Sequence, residues 1–206
     1  MEDALKKILE TAREYSFTHP IRRMSLDKIS EAILVDKKLM HKHFKSTKEL
    51  VFQILEFERN SFKFIFVDND FDGVNAIDIM FIVSKELSDR FKDINPGLTF
   101  QLRKYYPLIY KNHLEDKYDF IFNKIKINIE KGIQQGVYRD DLTVELVARL
   151  YLARLMDIHN PDFFPPEKFS FTILFDHTID SYIRSIATLE GLAYYEQRRK
   201  GFQLAK

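Results

Sequence analysis

Lysine and histidine side chains are concentrated between residues 37 and 48 of this 206-residue chain. The cationic members of this stretch are Lys37, Lys38, His41, Lys42, His43, Lys45 and Lys48. At about 100° per residue, the first four fall within an arc of roughly 140° on a helix, and the apolar Met40 and Phe44 lie together outside it. A basic face of this kind attracts phosphate, as do the free N–H groups at the start of the next helix. The pattern predicts contacts to a nucleic-acid backbone, and the plainer alternative is a solvated basic face.

Other chemistry finds little support in the residue types. The chain has no Cys, so disulfides, zinc-thiolate sites and cysteine nucleophiles are excluded. No Gly-x-Ser-x-Gly elbow, phosphate-binding Gly-x-x-x-x-Gly-Lys loop, His-Glu-x-x-His or dinucleotide motif occurs. His41 and His43 are two residues apart, on different sides of a helix, and suit a metal poorly. We therefore expect no catalytic residue, no metal site and no cofactor, although scattered carboxylates leave an enzyme as a third-ranked interpretation.

The charge distribution agrees with a basic N-terminal segment. The whole chain carries 32 Lys+Arg against 31 Asp+Glu, a formal net charge of +1. Residues 1–50 hold 11 of the basic and 8 of the acidic residues, and the remaining 156 hold 21 and 23. The nearly neutral total thus combines a modestly basic head with a slightly acidic body, as expected of a DNA-binding head.

The hydrophobic periodicity is helical almost everywhere, which predicts an all-α fold of eight or nine helices. Three short helices precede residue 46, and the third carries the basic face, which is typical of a helix-turn-helix. Ser25 and Asp36 are predicted to cap the second and third helices, and Ser46 with Glu49 forms a capping box. The longer predicted helices are 47–66, 74–92, 118–135 closed by Gly136, 143–159 and 167–189. We divide the chain into a helix-turn-helix domain, 1–46, and a helical body, 47–206.

Polar and proline-containing segments separate these helices. Thr18-His19-Pro20, residues 68–73, Asn95-Pro96-Gly97 and residues 160–166 are predicted breaks. Pro107 either starts or kinks the helix that follows it, because proline fits a first turn and disrupts an interior.

No segment looks like an export signal or a membrane span. The chain starts Met-Glu-Asp-Ala-Leu-Lys-Lys, whereas a secretory signal needs a basic start and an uninterrupted apolar stretch. The most apolar stretches, 62–67 and 76–83, are short and contain Lys63 and Asp78. We expect no membrane contact and a cytoplasmic location.

The spacing of apolar and capping residues over 25–50 matches a known motif without gaps. The segments are 25–30 (Ser-Leu-Asp-Lys-Ile-Ser), 33–36 (Ile-Leu-Val-Asp), 37–44 (Lys-Lys-Leu-Met-His-Lys-His-Phe) and 45–50 (Lys-Ser-Thr-Lys-Glu-Leu). They resemble Thr-Val-x-x-Ile-Ala, Ala-Gly-Val-Ser, Lys-Gly-Thr-Leu-Tyr-x-Tyr-Phe and Lys-Ser-Lys-Glu-Glu-Leu of the tetracycline-repressor (TetR) family of bacterial transcriptional regulators. Segments 129–142 and 184–191 also resemble the C-terminal half of that family.

The resemblance implies a homodimeric repressor that binds a double-stranded DNA operator of paired half-sites and responds to a small molecule. The DNA-contacting residues by analogy are Ser25, Lys37, Lys38, His41, Lys42, His43, Lys45 and Lys48. For His43, packing beside Phe44 is the alternative.

The resemblance further implies an effector pocket among the helices of about residues 47–136, where an aromatic or acyl-type ligand would suit the aromatic side chains. The candidate lining residues are Phe62, Phe81, Phe100, Tyr105, Tyr106, Tyr110, His113 and Phe120, with surface or core packing as the alternative. In the family the last two long helices pair with those of a second subunit as a four-helix bundle. The candidate interface residues are Leu146, Leu150, Ala153, Arg154, Ile179, Tyr182, Ile183 and Ile186, with intramolecular core as the alternative.

Several residues depart from the family motif in the segment that would bind DNA. Leu34 replaces the turn Gly, which should cost ~1 kcal/mol or force another turn. Lys38 replaces a second Gly, Leu39 replaces a hydroxyl residue and His41 replaces a Tyr. Lys38 would add a phosphate contact. The departures keep open a second interpretation, a TetR-like helical protein that has lost operator binding and acts through protein–protein contacts.

Overall fold

The computed structural model describes residues 3–19, 25–91, 96–158, 160, 162–165 and 167–201, without the side chains of residues 17, 18, 68, 90, 91 and 96–100. These parts of the chain are helical and contain no strand beyond one isolated bridge between Tyr138 and Ala187, which confirms the all-α prediction. The helices are α1 (Asp3–Thr18), α2 (Leu26–Ala32), α3 (Lys37–His43), α4 (Thr47–Asp68), α5 (Ala76–Phe91), α6 (Pro96–Tyr105), α7 (Pro107–Gln134), α8 (Val144–Asp157), α9 (Phe171–Ile186) and α10 (Leu189–Arg199).

The chain packs into two compact units, of which the first comprises Met1–Phe64 and Asp93–Lys117. Its core contains an apolar stripe of α1, with Ile8, Leu9 and Ala12 almost completely buried. The other buried apolar residues of this core are Leu26, Ile29, Met40, Phe44, Leu50, Val51, Ile54, Leu55, Leu102 and Tyr110. The first unit therefore contains the first three helices together with most of α4, all of α6 and the beginning of α7.

The predicted domain boundary after residue 46 is a functional division and remains a prediction. In terms of packing, the first unit continues past it, because Leu50, Ile54 and Leu55 of α4 belong to the same buried cluster as Ile29 and Met40.

The second unit comprises Ile65–Lys92 and Tyr118–Lys206, and aromatic side chains are prominent in its core. Tyr151 stacks on Tyr182 with ring centroids 3.7 Å apart, and Phe81 stacks on Tyr195 at 5.5 Å. The Tyr138 hydroxyl donates to Asn128 Oδ1 at 3.3 Å, and Tyr195 donates to Asp180 Oδ1 at 3.0 Å. Burial raises the pKa of each of the four phenols in this cluster, Tyr138, Tyr151, Tyr182 and Tyr195.

The structure settles one helix start that the sequence left open and divides one predicted helix into two. Pro107 begins α7, which runs unbroken to Gln134, because proline at a first helical position loses no intrahelical hydrogen bond. The last predicted helix is two helices, since Ala187 is extended (φ −70°, ψ 148°) between α9 and α10. Thr188 caps α10 by accepting a hydrogen bond from Gly191 N at 3.0 Å.

The two C-terminal segments that resemble the family pack against each other. Arg139 N donates to Ile186 O at 2.9 Å, and Thr188 N donates to Val137 O at 3.0 Å. Gly136 has φ +71°, so it closes α7 in the conformation predicted for a C-terminal cap. A Cβ on Gly191 would overlap the carbonyl oxygen of Val137, so only glycine allows this approach.

Among the residues that the structure describes, no helix is both long and apolar enough to cross a membrane.

Candidate nucleic-acid interface and effector-binding residues

The α2–α3 pair is held by the local capping that the sequence predicts. Ser25 Oγ accepts a hydrogen bond from Lys28 N at 3.2 Å at the start of α2. The Asp36 carboxylate accepts hydrogen bonds from Lys38 N at 2.8 Å and Leu39 N at 3.1 Å at the start of α3. Each cap satisfies backbone donors that a short helix would otherwise leave free.

The turn between α2 and α3 keeps a left-handed residue at the position of the family's glycine. Leu34 has φ +56°, and within the described residues it is the non-glycine residue with a positive φ. Val35 N donates to Ser30 O at 2.8 Å, so the turn closes around it. The Leu34 side chain is 93% exposed. The sequence left two consequences open, a conformational cost of ~1 kcal/mol or another turn. The positive φ of Leu34 corresponds to the first.

Helix α3 separates charge from apolar surface as predicted. Met40 and the following Phe44 are completely buried, whereas the lysines of this region are exposed. The exposed members of the predicted DNA-contacting set are Ser25, Lys37, Lys38, His41, Lys42, Lys45 and Lys48. His43 is half-buried, with its ring centroid 6.2 Å from that of Phe44, which agrees with the packing alternative.

The N-terminus of α4 carries a capping box with one altered contact. Ser46 Oγ accepts a hydrogen bond from Glu49 N at 3.2 Å. The Glu49 carboxylate accepts from Lys45 N at 2.7 Å, one residue before the predicted partner, Ser46. The backbone N–H groups of Lys45 and Glu49 thus have hydrogen-bond acceptors. The start of α4 lies beside the exposed side chains of Lys45 and Lys48.

Two acidic residues of α2 contact the cations of α3, which sequence reasoning missed. Glu31 Oε1 lies 2.5 Å from Lys37 Nζ, and Asp27 Oδ1 lies 2.7 Å from His41 Nε2. The hydrogen bond with His41 holds the pKa of the Asp27 carboxyl below its usual value, and the hydrogen bond with Glu31 raises the pKa of Lys37. The sequence signal was the spacing: Asp27 and Glu31 are four residues apart on α2, and Lys37 and His41 are four apart on α3.

Six of the eight predicted effector-binding residues lie in the first unit, and the side chains of five of them are described. Phe62, Tyr110 and His113 are buried there, Tyr106 is half-buried and Tyr105 is exposed. The rings of Tyr110 and His113 lie 6.4 Å apart and are nearly parallel. Burial lowers the pKa of His113 to about 4, so the imidazole is neutral at pH 7.

A buried carboxylate of α4 lies beside these residues and was not among the predicted ones. Glu58 is 7% exposed, and its two carboxylate oxygens lie 3.9 Å from Arg13 Nε and 3.9 Å from Lys117 Nζ. The Lys117 ammonium lies 4.7 Å from the centroid of the Phe62 ring. A sequence signal existed, because Glu58 falls on the apolar stripe of α4, four residues before Phe62.

The remaining predicted effector-binding residues are in the second unit or outside the description. Phe81 is buried against Tyr195, and Phe120 packs edge-on to Phe66 at 5.6 Å. The side chain of Phe100 lies outside the described residues. As a set that binds an effector, the eight residues remain a prediction.

The predicted dimer residues divide according to helix. Those of α8 are exposed, Leu146 to 54% and Leu150 to 57%, together with Ala153 and Arg154. Those of α9 are completely or almost completely buried: Ile179, Tyr182, Ile183 and Ile186. The four α9 residues form intramolecular core, the alternative that the sequence left open. The exposed face of α9 instead carries Ile173, His177 and Ser181, and Ser181 Oγ accepts a hydrogen bond from Arg154 Nη1 at 3.1 Å.

No family model matches this chain, and no curated protein matches it either. Solved structures do. A protein from Saccharomonospora viridis, described as a transcriptional regulator and crystallised with choline, superposes with a TM-score of 0.71 at 18% identity, covering 91% of this chain and 100% of its own. A protein from Rhodococcus sp., described as a TetR-family transcriptional regulator, gives 0.69 at 14% identity, with 91% and 100% covered. The SmeT–triclosan complex gives 0.64 at 12%, with 91% and 93% covered.

This chain shares the all-helical fold of these solved regulators. The resemblance seen in the sequence is thereby confirmed at the level of the fold, and the neighbours are described as regulators rather than as enzymes. Leu34, which stands where the motif quoted above has a turn glycine, adopts a positive φ of the kind that glycine adopts most easily.

Proposed function

We propose that this protein is a DNA-binding transcriptional repressor that acts as a homodimer and responds to a small-molecule effector. The observation that carries the proposal is the α2–α3 pair, in which Met40 and Phe44 are completely buried and the lysines of the opposite face are exposed. This amphipathic recognition helix has the surface needed to enter a major groove. A cytoplasmic location, with access to DNA, is part of the proposal.

We propose that the exposed lysines contact phosphates and do not read the bases. Lys38 and Lys42 project from α3, and Lys45 and Lys48 flank the α4 N-terminus, where backbone N–H groups favour anions. Such contacts position a protein on a duplex without reading its sequence. Base recognition would fall to the remaining exposed side chains of α3, including His41.

For the effector we propose an aromatic or acyl-type molecule that contacts the first-unit residues Phe62, Tyr110 and His113. The aromatic rings provide apolar contact area, and the neutral imidazole provides a hydrogen-bonding group in low-dielectric surroundings. Two structural neighbours carry small organic ligands, choline in one and triclosan in the other, which supports a ligand-responsive role.

For the dimer we propose an interface built on the exposed apolar residues of α8 and α9. Leu146 and Leu150 lie four residues apart on one face of α8, and each of them, like Ile173 of α9, is more than half exposed. A two-fold dimer would present two recognition helices to the paired half-sites of an operator.

The proposal is tested by DNA binding of a Lys37→Ala/Lys42→Ala/Lys48→Ala variant. The matched control is Lys85→Ala/Lys168→Ala/Lys200→Ala, which removes the same charge from exposed positions of the second unit. Fluorescence anisotropy with genomic DNA fragments over a salt series should show weaker binding for the first variant, with a salt slope smaller by about two to three. The control should bind like the wild type. Equal binding by both variants rejects the proposed head.

One observation favours a protein partner as the second candidate function. Leu34 exposes 93% of an apolar side chain in the turn that precedes the recognition helix. If a folded wild-type protein shows no salt-dependent DNA binding, this second function replaces the first. Retained DNA binding by Leu34→Ser would show that the leucine is not needed for the duplex.

A further inference from the structure

The contacts between α2 and α3 form a two-step ladder. Asp27 and Glu31 are four residues apart on α2, and Lys37 and His41 are four apart on α3, so each pair shares one helix face. Glu31 contacts Lys37 at 2.5 Å and Asp27 contacts His41 at 2.7 Å. Each acidic side chain therefore has its own partner on the helix that the proposed function places in the groove.

These contacts divide the basic side chains of residues 37–48 into two groups. Lys37 and His41 have acidic partners, whereas Lys38, Lys42, Lys45 and Lys48 make no ion pair within the described part of the chain. Two of the four residues of the predicted basic arc on α3 therefore have acidic partners in the free protein.

Stability does not account for the ladder. The side chains of the Glu31–Lys37 pair are 62% and 51% exposed, and those of the Asp27–His41 pair are 55% and 53% exposed. Ion pairs at such exposure contribute little to the free energy of folding, because water screens them. Ser25 and Asp36 already cap the two helices, and Ile29 and Met40 already fix them in the core.

We propose that Asp27 and Glu31 are specificity-determining residues that weaken sequence-independent DNA binding. Their carboxylates occupy Lys37 and His41 in the free protein in the way that phosphates would, and they repel a backbone that approaches this side of α3. On a random duplex this loss is not offset, whereas on an operator it is offset by base contacts. The proposal rests on the proposed DNA-binding function.

The test compares Asp27→Asn/Glu31→Gln with the matched control Glu115→Gln/Glu130→Gln, which removes two carboxylates from exposed pairs with Lys111 and Lys126 on α7. Anisotropy with a labelled duplex of random sequence is measured in about 50 to 200 mM salt. The first variant should have a salt slope steeper by about one to two and bind at least about threefold more tightly at the low end. The control should match the wild type. An unchanged slope for the first variant overturns the proposal.

A double-mutant cycle separates Lys37 from the unpaired lysines. Lys37→Gln should cost little affinity in the wild type and about threefold or more in the Glu31→Gln background, since only there is Lys37 free to meet phosphate. Lys42→Gln should cost the same in both backgrounds. Equal costs for Lys37→Gln in the two backgrounds contradict the proposal, and circular dichroism of each variant verifies the fold.

A polyanion column distinguishes failure of this inference from failure of the proposed function. If the wild type binds no DNA, the proposed function fails. Elution from heparin still measures the positive electrostatic potential of the α2–α3 region. Asp27→Asn/Glu31→Gln should then elute at higher salt than the wild type and the Glu115→Gln/Glu130→Gln control. Elution at the same salt rejects the role of the acidic pair independently of any operator.

Discussion

Leu34 holds a backbone conformation that glycine adopts at much lower cost. Left-handed φ costs a residue with a Cβ roughly 1–2 kcal/mol, and the exposed Leu34 side chain recovers little of that through burial. Leu34→Gly should therefore raise the free energy of unfolding by about 0.5–1 kcal/mol, after the greater freedom of glycine in the unfolded chain is subtracted. Urea denaturation measures this. Leu34→Ala keeps the strain and should change stability little, and a destabilising glycine would contradict the argument.

His113 should make the stability of the protein depend on pH. Its pKa is about 4 in the folded protein against 6.5 when exposed, because burial disfavours the charged ring. The unfolded chain therefore binds more protons between these values, so stability is complete above pH 6.5 and falls as the pH drops toward 4, by up to about 3 kcal/mol.

Urea unfolding of His113→Gln at pH 7 and pH 4 isolates this contribution. Between pH 7 and pH 4, the free energy of unfolding should fall more for the wild type than for His113→Gln. His177→Gln removes an exposed imidazole from α9 and serves as the control. Parallel pH profiles for wild type and His113→Gln would show that His113 is not the cause.

At this scale the sequence predicted the contacts that are local in the chain. Ser25, Asp36 and Ser46 cap the next turn of their own helices, so spacing alone identified them. The partners of Glu58 lie on α1 and α7, and no local pattern encodes such a distant contact.

At the scale of elements, the contact between the end of α7 and the α9–α10 junction depends on Gly191. A Cβ there overlaps the Val137 backbone, whereas a Cβ on Gly136 meets nothing within 4 Å and costs only the strain of its φ of +71°. Gly191→Ala should lower the free energy of unfolding by more than about 2 kcal/mol, and Gly136→Ala by about 1. Thermal or urea denaturation gives the ranking. Equal losses would mean that the junction moves aside to accept the methyl group.

Helices bounded by strong breakers were predicted well, and the others were not. The short helices α2 and α3 and the Gly136 end of α7 have capping or breaking residues in the sequence. The junction at Ala187 has only the cap residue Thr188 as a local signal. Its extended backbone is held by hydrogen bonds to the distant residues Val137 and Arg139. Tertiary contacts of this kind override a continuous helical pattern.

At the scale of the whole molecule, the exposed leucines of α8 predict self-association. Leu146→Glu/Leu150→Glu should convert a dimer of about twice 24.6 kDa into a monomer without unfolding it, because both side chains are more than half exposed. Light scattering at micromolar concentration measures the mass. Leu152→Glu, at a half-buried position of the same helix, should instead destabilise the fold. A wild-type mass near 24.6 kDa would remove the dimer from the proposal.

The four buried phenols of the second unit also limit the protein at alkaline pH. An exposed phenol ionises near pH 10, but Tyr138, Tyr151, Tyr182 and Tyr195 have pKa values raised by burial and stay protonated while folded. Their stabilisation is complete below pH 10 and declines above it, because the unfolded chain then loses protons that the folded protein keeps. With no Trp in the chain, the ultraviolet spectrum of phenolate should show these four ionising abruptly as the helices of this unit come apart.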